Sequence, residues 1–215
     1  RTHERPCTTL QLSMTAATEA AATTPALRDL VARRASRHDI EAHLEALTVR
    51  ERLAQVLGVT GKLVGQLYDA VAGADPIALE DLAPRSEKGT VILEGRNSLP
   101  LPVSRFQKRF AWIGDDLGGY NHQTFSPITG PGYFVVKPAS GSGPHPDELY
   151  FDYTVPAPGT PPGWPEYKPN SRGLSKLVYE GMLDYCRHVA TGVLVGKAYK
   201  QGKAQDAYFT LTAPR

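Results

Sequence analysis

Two short polar clusters hold the residue types that acid–base or nucleophilic chemistry needs. The first is Asp184-Tyr185-Cys186-Arg187-His188, in which Asp184, Cys186 and His188 share one face if the run is extended. A thiol beside a histidine is the pattern of an activated thiolate. Residues two apart on a strand stand about 7 Å apart, however, which is beyond direct hydrogen-bond reach without a bend. The bland alternative is an Asp184 to Arg187 structural pair with Cys186 as a small buried hydrophobe.

The second cluster is Gly118-Gly119-Tyr120-Asn121-His122-Gln123, which reads as a loop joining two strands. At a barrel mouth such a loop would set Tyr120, Asn121 and His122 against a ligand. As an ordinary turn, it would leave His122 solvated. A general base needs a partner to orient it, so the candidate catalytic set is His122 or His188 with Asp152 or Asp184.

Arg109 lies in a run with aromatic neighbours and, if it points inward, offers a bidentate grip on a carboxylate or phosphate. The candidate ligand-binding residues are therefore Arg109, Tyr120, Asn121, His122, Tyr153, Tyr179 and Arg187. Trp164, between Pro161-Pro162-Gly163 and Pro165, reads as a staple for a loop. No metal site is expected, since His38 and His43 are five apart and miss a common helix face. GDDLGGYN lacks the lysine and the setting of a phosphate loop, so no cofactor is expected either.

The elements that must position these residues divide in two. Residues 1–23, Ala/Thr-rich toward their end, read as a disordered leader, with Met14 a plausible native start and residues 1–13 an upstream extension. Residues 24–88 read as short helices packed on the rest. Leu27, Leu30 and Val31 form one apolar face after Thr24-Pro25, Ile40, Leu44 and Leu47 a second, and Thr48 with Glu51 forms a capping box ahead of Leu53, Val56 and Leu57. Leu63, Val64, Leu67, Tyr68 and Val71 follow, up to Gly73.

From residue 89 onward helical spacing gives way to short alternating runs between Gly and Pro signals. Phe106, Lys108, Phe110 and Trp112 share one side of a run, with Gln107 and Arg109 on the other. Leu149, Phe151, Tyr153 and Val155 oppose Tyr150, Asp152 and Thr154. VPAPGTPPGWPEYKPN is too proline-rich for a central strand and reads as a long ordered loop. Strands are expected near Leu174 to Leu183, Val193 to Lys200 and Ala207 to Thr212. Seven or eight strands without intervening helices predict an α+β chain: short N-terminal helices, then an antiparallel β-barrel over 89–215, with a β-sandwich as runner-up.

The C-terminal run DYCRHVATGVLVGKAYKQGKAQDAYFTL resembles the closing strands of lipocalin-like (calycin-type) β-barrel proteins. It is similar to an uncharacterised bacterial family with an Asp-aromatic-X-Arg turn and a Leu-X-Gly run, here Asp184, Tyr185, Arg187, Leu194 and Gly196. The resemblance implies a barrel with a central cavity.

Composition sets the remaining limits. The chain has 215 residues, with 24 Lys+Arg against 22 Asp+Glu scattered along it. That lacks the concentrated basic footprint of a nucleic-acid binder. Two distant cysteines, Cys7 and Cys186, suit a reduced cytoplasmic protein, and no run reaches the roughly 20 apolar residues of a membrane span. The expected function is binding of a small apolar or amphipathic ligand in the barrel, by a monomer or homodimer. The alternative is a cofactor-independent hydrolase or isomerase/lyase using a cavity His/Asp base. A third reading makes the helices a protein-interaction element.

Overall fold

In the structure, a computed structural model, residues 25–100, 104–123, 130–141 and 143–214 are described. The expected leader over residues 1–23 lies outside them. Five helices come first: α1 (Leu27–Ala32), α2 (Arg37–Glu45), α3 (Val49–Val56), α4 (Lys62–Ala70) and α5 (Leu79–Leu82). Their starts follow local chemistry. Ser36 caps α2 by accepting from the Asp39 amide, and Thr48 and Glu51 close the capping box of α3.

Eight strands then form a closed antiparallel barrel in simple sequence order: β1 (Val91–Asn97), β2 (Arg105–Ile113), β3 (Asp116–His122), β4 (Tyr133–Lys137), β5 (Leu149–Asp152), β6 (Met182–Ala190), β7 (Val193–Lys200) and β8 (Lys203–Thr212). β8 returns to β1 with Gly95 opposite Leu211, so the sheet has no free edge. The chain is thus α+β with a lipocalin-like barrel.

The barrel wall separates two apolar clusters. Inside lie Leu93, Phe110, Leu117, Phe134, Phe151, Cys186 and Leu211, among others. Outside, the helices bury Leu27, Ile40, Leu44, Val64 and Leu67 against Val189, Val193 and Val195. The apolar run Val193-Leu194-Val195 is explained by this arrangement. Leu194 packs inward while its neighbours face the helices, so the first half of β7 has two dry faces and no polar alternation.

A polar clasp joins helix to wall beside that cluster. Arg187 Nε meets Glu148 Oε1 at 2.8 Å, its Nη1 donates to the Tyr68 carbonyl at 2.7 Å, and the Tyr68 hydroxyl donates to Glu148 Oε2 at 2.7 Å.

Two local expectations are corrected. The strand expected from Leu174 is a helical turn, α6 (Ser175–Tyr179), followed by β6. Gly173 and Gly181 bracket it at φ of +56° and +69°, backbone turns that isolate a single helical turn from the following strand. The stretch Gly118 to His122, expected as a loop, lies within β3, and the chain reverses earlier at Gly114, φ +62°.

Gly119 is a strand residue because an aromatic ring needs its missing side chain. The Phe134 ring rests on Gly119, its register partner, in the volume a Cβ would fill. The same pairing recurs twice: Phe106 lies over Gly95, and Phe209 over Gly196. Three rings therefore lie along the inner wall.

The proline-rich segment after β5 runs as a strap over the outer face of β3 and β4. The Tyr133 hydroxyl donates to the Pro165 carbonyl at 2.6 Å, and Asn170 Nδ2 donates to the carbonyls of Tyr133 and Tyr153. Trp164 packs edge-on against Tyr120, with ring centroids 4.9 Å apart.

Candidate functional site

Alternation along β2 turns Gln107 and Arg109 outward and Phe106, Lys108 and Phe110 into the barrel. Lys108 thereby carries an ammonium group into an apolar lumen, where its side chain is 2% exposed. Such a group survives burial only with partners. Nζ donates to Asn121 Oδ1 at 3.0 Å, to Asp184 Oδ2 at 3.1 Å and to the Tyr153 hydroxyl. Asn121 is the register partner of Lys108 on β3, whereas Asp184 reaches in from β6 and Tyr153 from the end of β5.

The four side chains close on each other. The Tyr153 hydroxyl donates to Asp184 Oδ2 at 3.1 Å and accepts from Asn121 Nδ2 at 3.0 Å. Aromatic faces complete the surroundings of the ammonium, with Phe151 at 4.6 Å, Phe134 at 4.7 Å and Phe209 at 5.1 Å from Nζ to ring centroid. Burial pulls the Lys108 pKa below the ordinary lysine value, opposed by Asp184. Burial, reinforced by Asp184, pushes the Tyr153 phenol well above its ordinary value, so it stays a donor.

Above this polar floor lies a cavity of about 450 Å³ whose walls include Phe106, Tyr179, Met182, Ala198, Ala207 and Phe209. Among the described residues lining it, Lys108 and Asp184 carry the charges. Tyr179, on α6, stacks on Tyr153 with centroids 5.4 Å apart and planes 8° apart. It brings the helical turn over the cavity, and Gln123 Nε2 donates to its hydroxyl at 3.1 Å.

The residues singled out in the sequence fall into two groups. Asn121, Tyr153 and Tyr179 come together at the cavity with Asp184. Arg109, Tyr120 and His122 lie on the outer face of β2 and β3. There Arg109 donates to the Tyr120 hydroxyl at 3.2 Å, and its Nη2 donates to Gln107 at 2.8 Å. His122 borders a second groove of about 670 Å³ with Glu94, Arg105, Gln107 and Lys168, and this groove shares Phe106 and Gln123 with the cavity.

Asp152 closes a local turn by accepting from the Thr154 amide and hydroxyl at 2.8 and 2.6 Å. Arg187 belongs to the clasp with Glu148 and Tyr68. His188 is four residues along β6 from Asp184, about 13 Å at strand rise. Neither His122 nor His188 lines the barrel cavity.

Asp184 and Arg187 do not pair with each other. Three positions apart, they lie on opposite faces of β6, and each has a different partner. Cys186 is a buried free thiol whose pKa is raised by burial and by Asp184, the reverse of thiolate activation. Among the described residues no group of three or more His, Cys, Asp or Glu is placed to hold a metal ion.

Lys108 is the site residue that the candidate set passed over. The signal lay in its spacing: a lysine two positions from Phe106 and two from Phe110 sits on the aromatic face of its strand. Comparisons with protein-family models, with curated proteins and with solved structures return no match. No helix of the described residues is long and apolar enough to cross a membrane.

Proposed function

We propose that this protein is a lipocalin-like binder of small amphipathic molecules. The ligand's apolar body occupies the cavity beneath α6, and its polar end meets Lys108, Asn121, Tyr153 and Asp184. The observation that carries this reading is a closed hydrogen-bonded cluster at the base of an apolar, aromatic-walled cavity. Ligand pockets combine these features, with many apolar contacts for affinity and few polar ones for orientation.

The charge of the floor narrows the ligand. Lys108 and Asp184 compensate each other, so a carboxylate would introduce a buried charge with no counterpart. A hydroxyl or carbonyl brings hydrogen-bonding capacity without that cost. The preferred ligand is a neutral amphiphile. Among the described residues no histidine lines this cavity for the His/Asp form of catalysis, so we give binding precedence. A buried free Cys186 fits the reading of a cytoplasmic protein, and a monomer or homodimer is our reading of its assembly.

The test is displacement of a neutral apolar dye, Nile red, from the purified protein. Decanol should displace it at lower concentration than decanoate. Failure of the dye and both amphiphiles to bind, together with no organic molecule carried through native mass spectrometry, would refute the reading.

A further inference from the structure

We infer that Lys108 is a carbonyl-trapping residue, forming an imine with an aldehyde or ketone seated in the barrel cavity. The inference rests on the binding reading above and names the functional group of its ligand. It stands on the placement of four groups. Lys108 Nζ borders the cavity, a proton acceptor lies 3.1 Å away at Asp184 Oδ2, and the Tyr153 hydroxyl bridges lysine and aspartate. The aromatic wall keeps this chemistry out of bulk water.

A lysine serves as a carbonyl nucleophile when desolvation makes its neutral form accessible, and the surroundings of Lys108 favour that form. An ordinary surface lysine has neither feature. A purely structural ion pair needs one donor and one acceptor. Here a phenol and an amide are added on the same atoms, beside an apolar-walled cavity.

Each step has a donor and an acceptor in place. The Lys108 ammonium passes one proton to the Asp184 carboxylate, giving a neutral amine beside a carboxylic acid. The amine lone pair attacks the carbonyl carbon, a C–N bond forms, and the carbonyl π pair moves to oxygen. That oxygen takes the Tyr153 proton, and the new ammonium nitrogen returns one to the phenolate, leaving a neutral carbinolamine. Asp184 then protonates the carbinolamine hydroxyl, which departs as water while the nitrogen lone pair forms the C=N bond. The product is a protonated imine facing an ionised Asp184, so the site ends with the charge pair it began with. One carbonyl compound is consumed and one water released, with no oxidant or reductant.

The experiment incubates the full chain with decanal and sodium cyanoborohydride, which converts an imine to a stable secondary amine. The readouts are intact mass and peptide mapping. A parallel Nile red titration with decanol reports cavity binding without imine chemistry. The expected result is one adduct per chain, with the mass of decanal less one oxygen, mapped to Lys108. Its labelling should exceed that of any surface lysine by about tenfold for each unit by which their pKa values differ.

Lys108→Met should lose the adduct. Lys108→Met combined with Asp184→Leu should lose it too, while keeping a folded spectrum. Decanol binding with no adduct, or with label spread over surface lysines and unchanged in Lys108→Met, overturns the imine and leaves the binding reading standing. Absence of both decanol binding and adduct overturns both.

Discussion

Lys108 on β2 and Asp184 on β6 meet across the lumen, Nζ to Oδ2 at 3.1 Å, with side chains 2% and 6% exposed. The strands that carry them are not neighbours, so the pair fixes the distance between two walls rather than reinforcing one ladder. Removing one partner strands the other charge in an apolar interior. Asp184→Leu alone should cost about 3–5 kcal/mol, whereas Lys108→Met with Asp184→Leu should recover most of that loss. Urea unfolding of the two single variants and the double variant measures the difference.

The three inner-wall glycines fix the direction of three rings. Gly196→Ala places a methyl where the Phe209 ring lies, and the ring has to turn into the cavity. A cost of about 1–3 kcal/mol is expected from overpacking. Nile red uptake should fall with it, because Phe209 is a cavity wall. Unchanged dye binding in a stable Gly196→Ala protein would count against the cavity as the binding site.

Leu44, fully buried on α2, belongs to the cluster that joins helices to β6 and β7. Leu44→Ala should destabilise the protein by about 2–5 kcal/mol through the cavity it leaves. Because that cluster includes Val189, Val193 and Val195 of the wall, helix and barrel signals should be lost in one transition. Far-ultraviolet and near-ultraviolet circular dichroism followed through the same denaturant series decide the point.

Glu45 provides a pH response. Its Oε1 accepts from the Thr191 amide at 2.6 Å, at the turn between β6 and β7, and this bond is the leading cause of its lowered pKa. The folded carboxylate therefore holds its proton less tightly than the unfolded one. Below the ordinary value of 4.5 the unfolded state takes up protons first, and stability falls with pH. Glu45→Gln should lower the neutral portion of a stability profile by the amount that its acid limb flattens, and leave the most acidic end nearly unchanged.

Architecture was legible in the sequence because its signals are local. Thr48 with Glu51 marked a helix start, and the alternation of Leu149, Phe151 and Tyr153 marked a strand with one dry face. The candidate site was only partly legible. Asn121, Tyr153, Tyr179 and Asp184 were in view, but their meeting depends on barrel closure, which spacing does not encode. Gly118-Gly119 looked like a turn because the ring that requires Gly119 is supplied by Phe134, fifteen residues away. Arg109 drew attention as the familiar anion binder, while the inward member of the same dipeptide was Lys108. Ser175 to Tyr179 alternated like a strand, and nothing local announced that α6 would leave Leu177 71% exposed and Tyr179 buried.

On the proposed binding reading, the bracketing of α6 by two left-handed glycines separates capacity from residence time. Helices brace the wall at β6 and β7, and the proline-rich strap braces β3 and β4, so these parts of the barrel hold each other. The single helical turn over the cavity is connected through Gly173 and Gly181, whose backbones permit reorientation at little steric cost. Stiffening these joints should alter association and dissociation rates together and leave their ratio, the affinity, nearly constant.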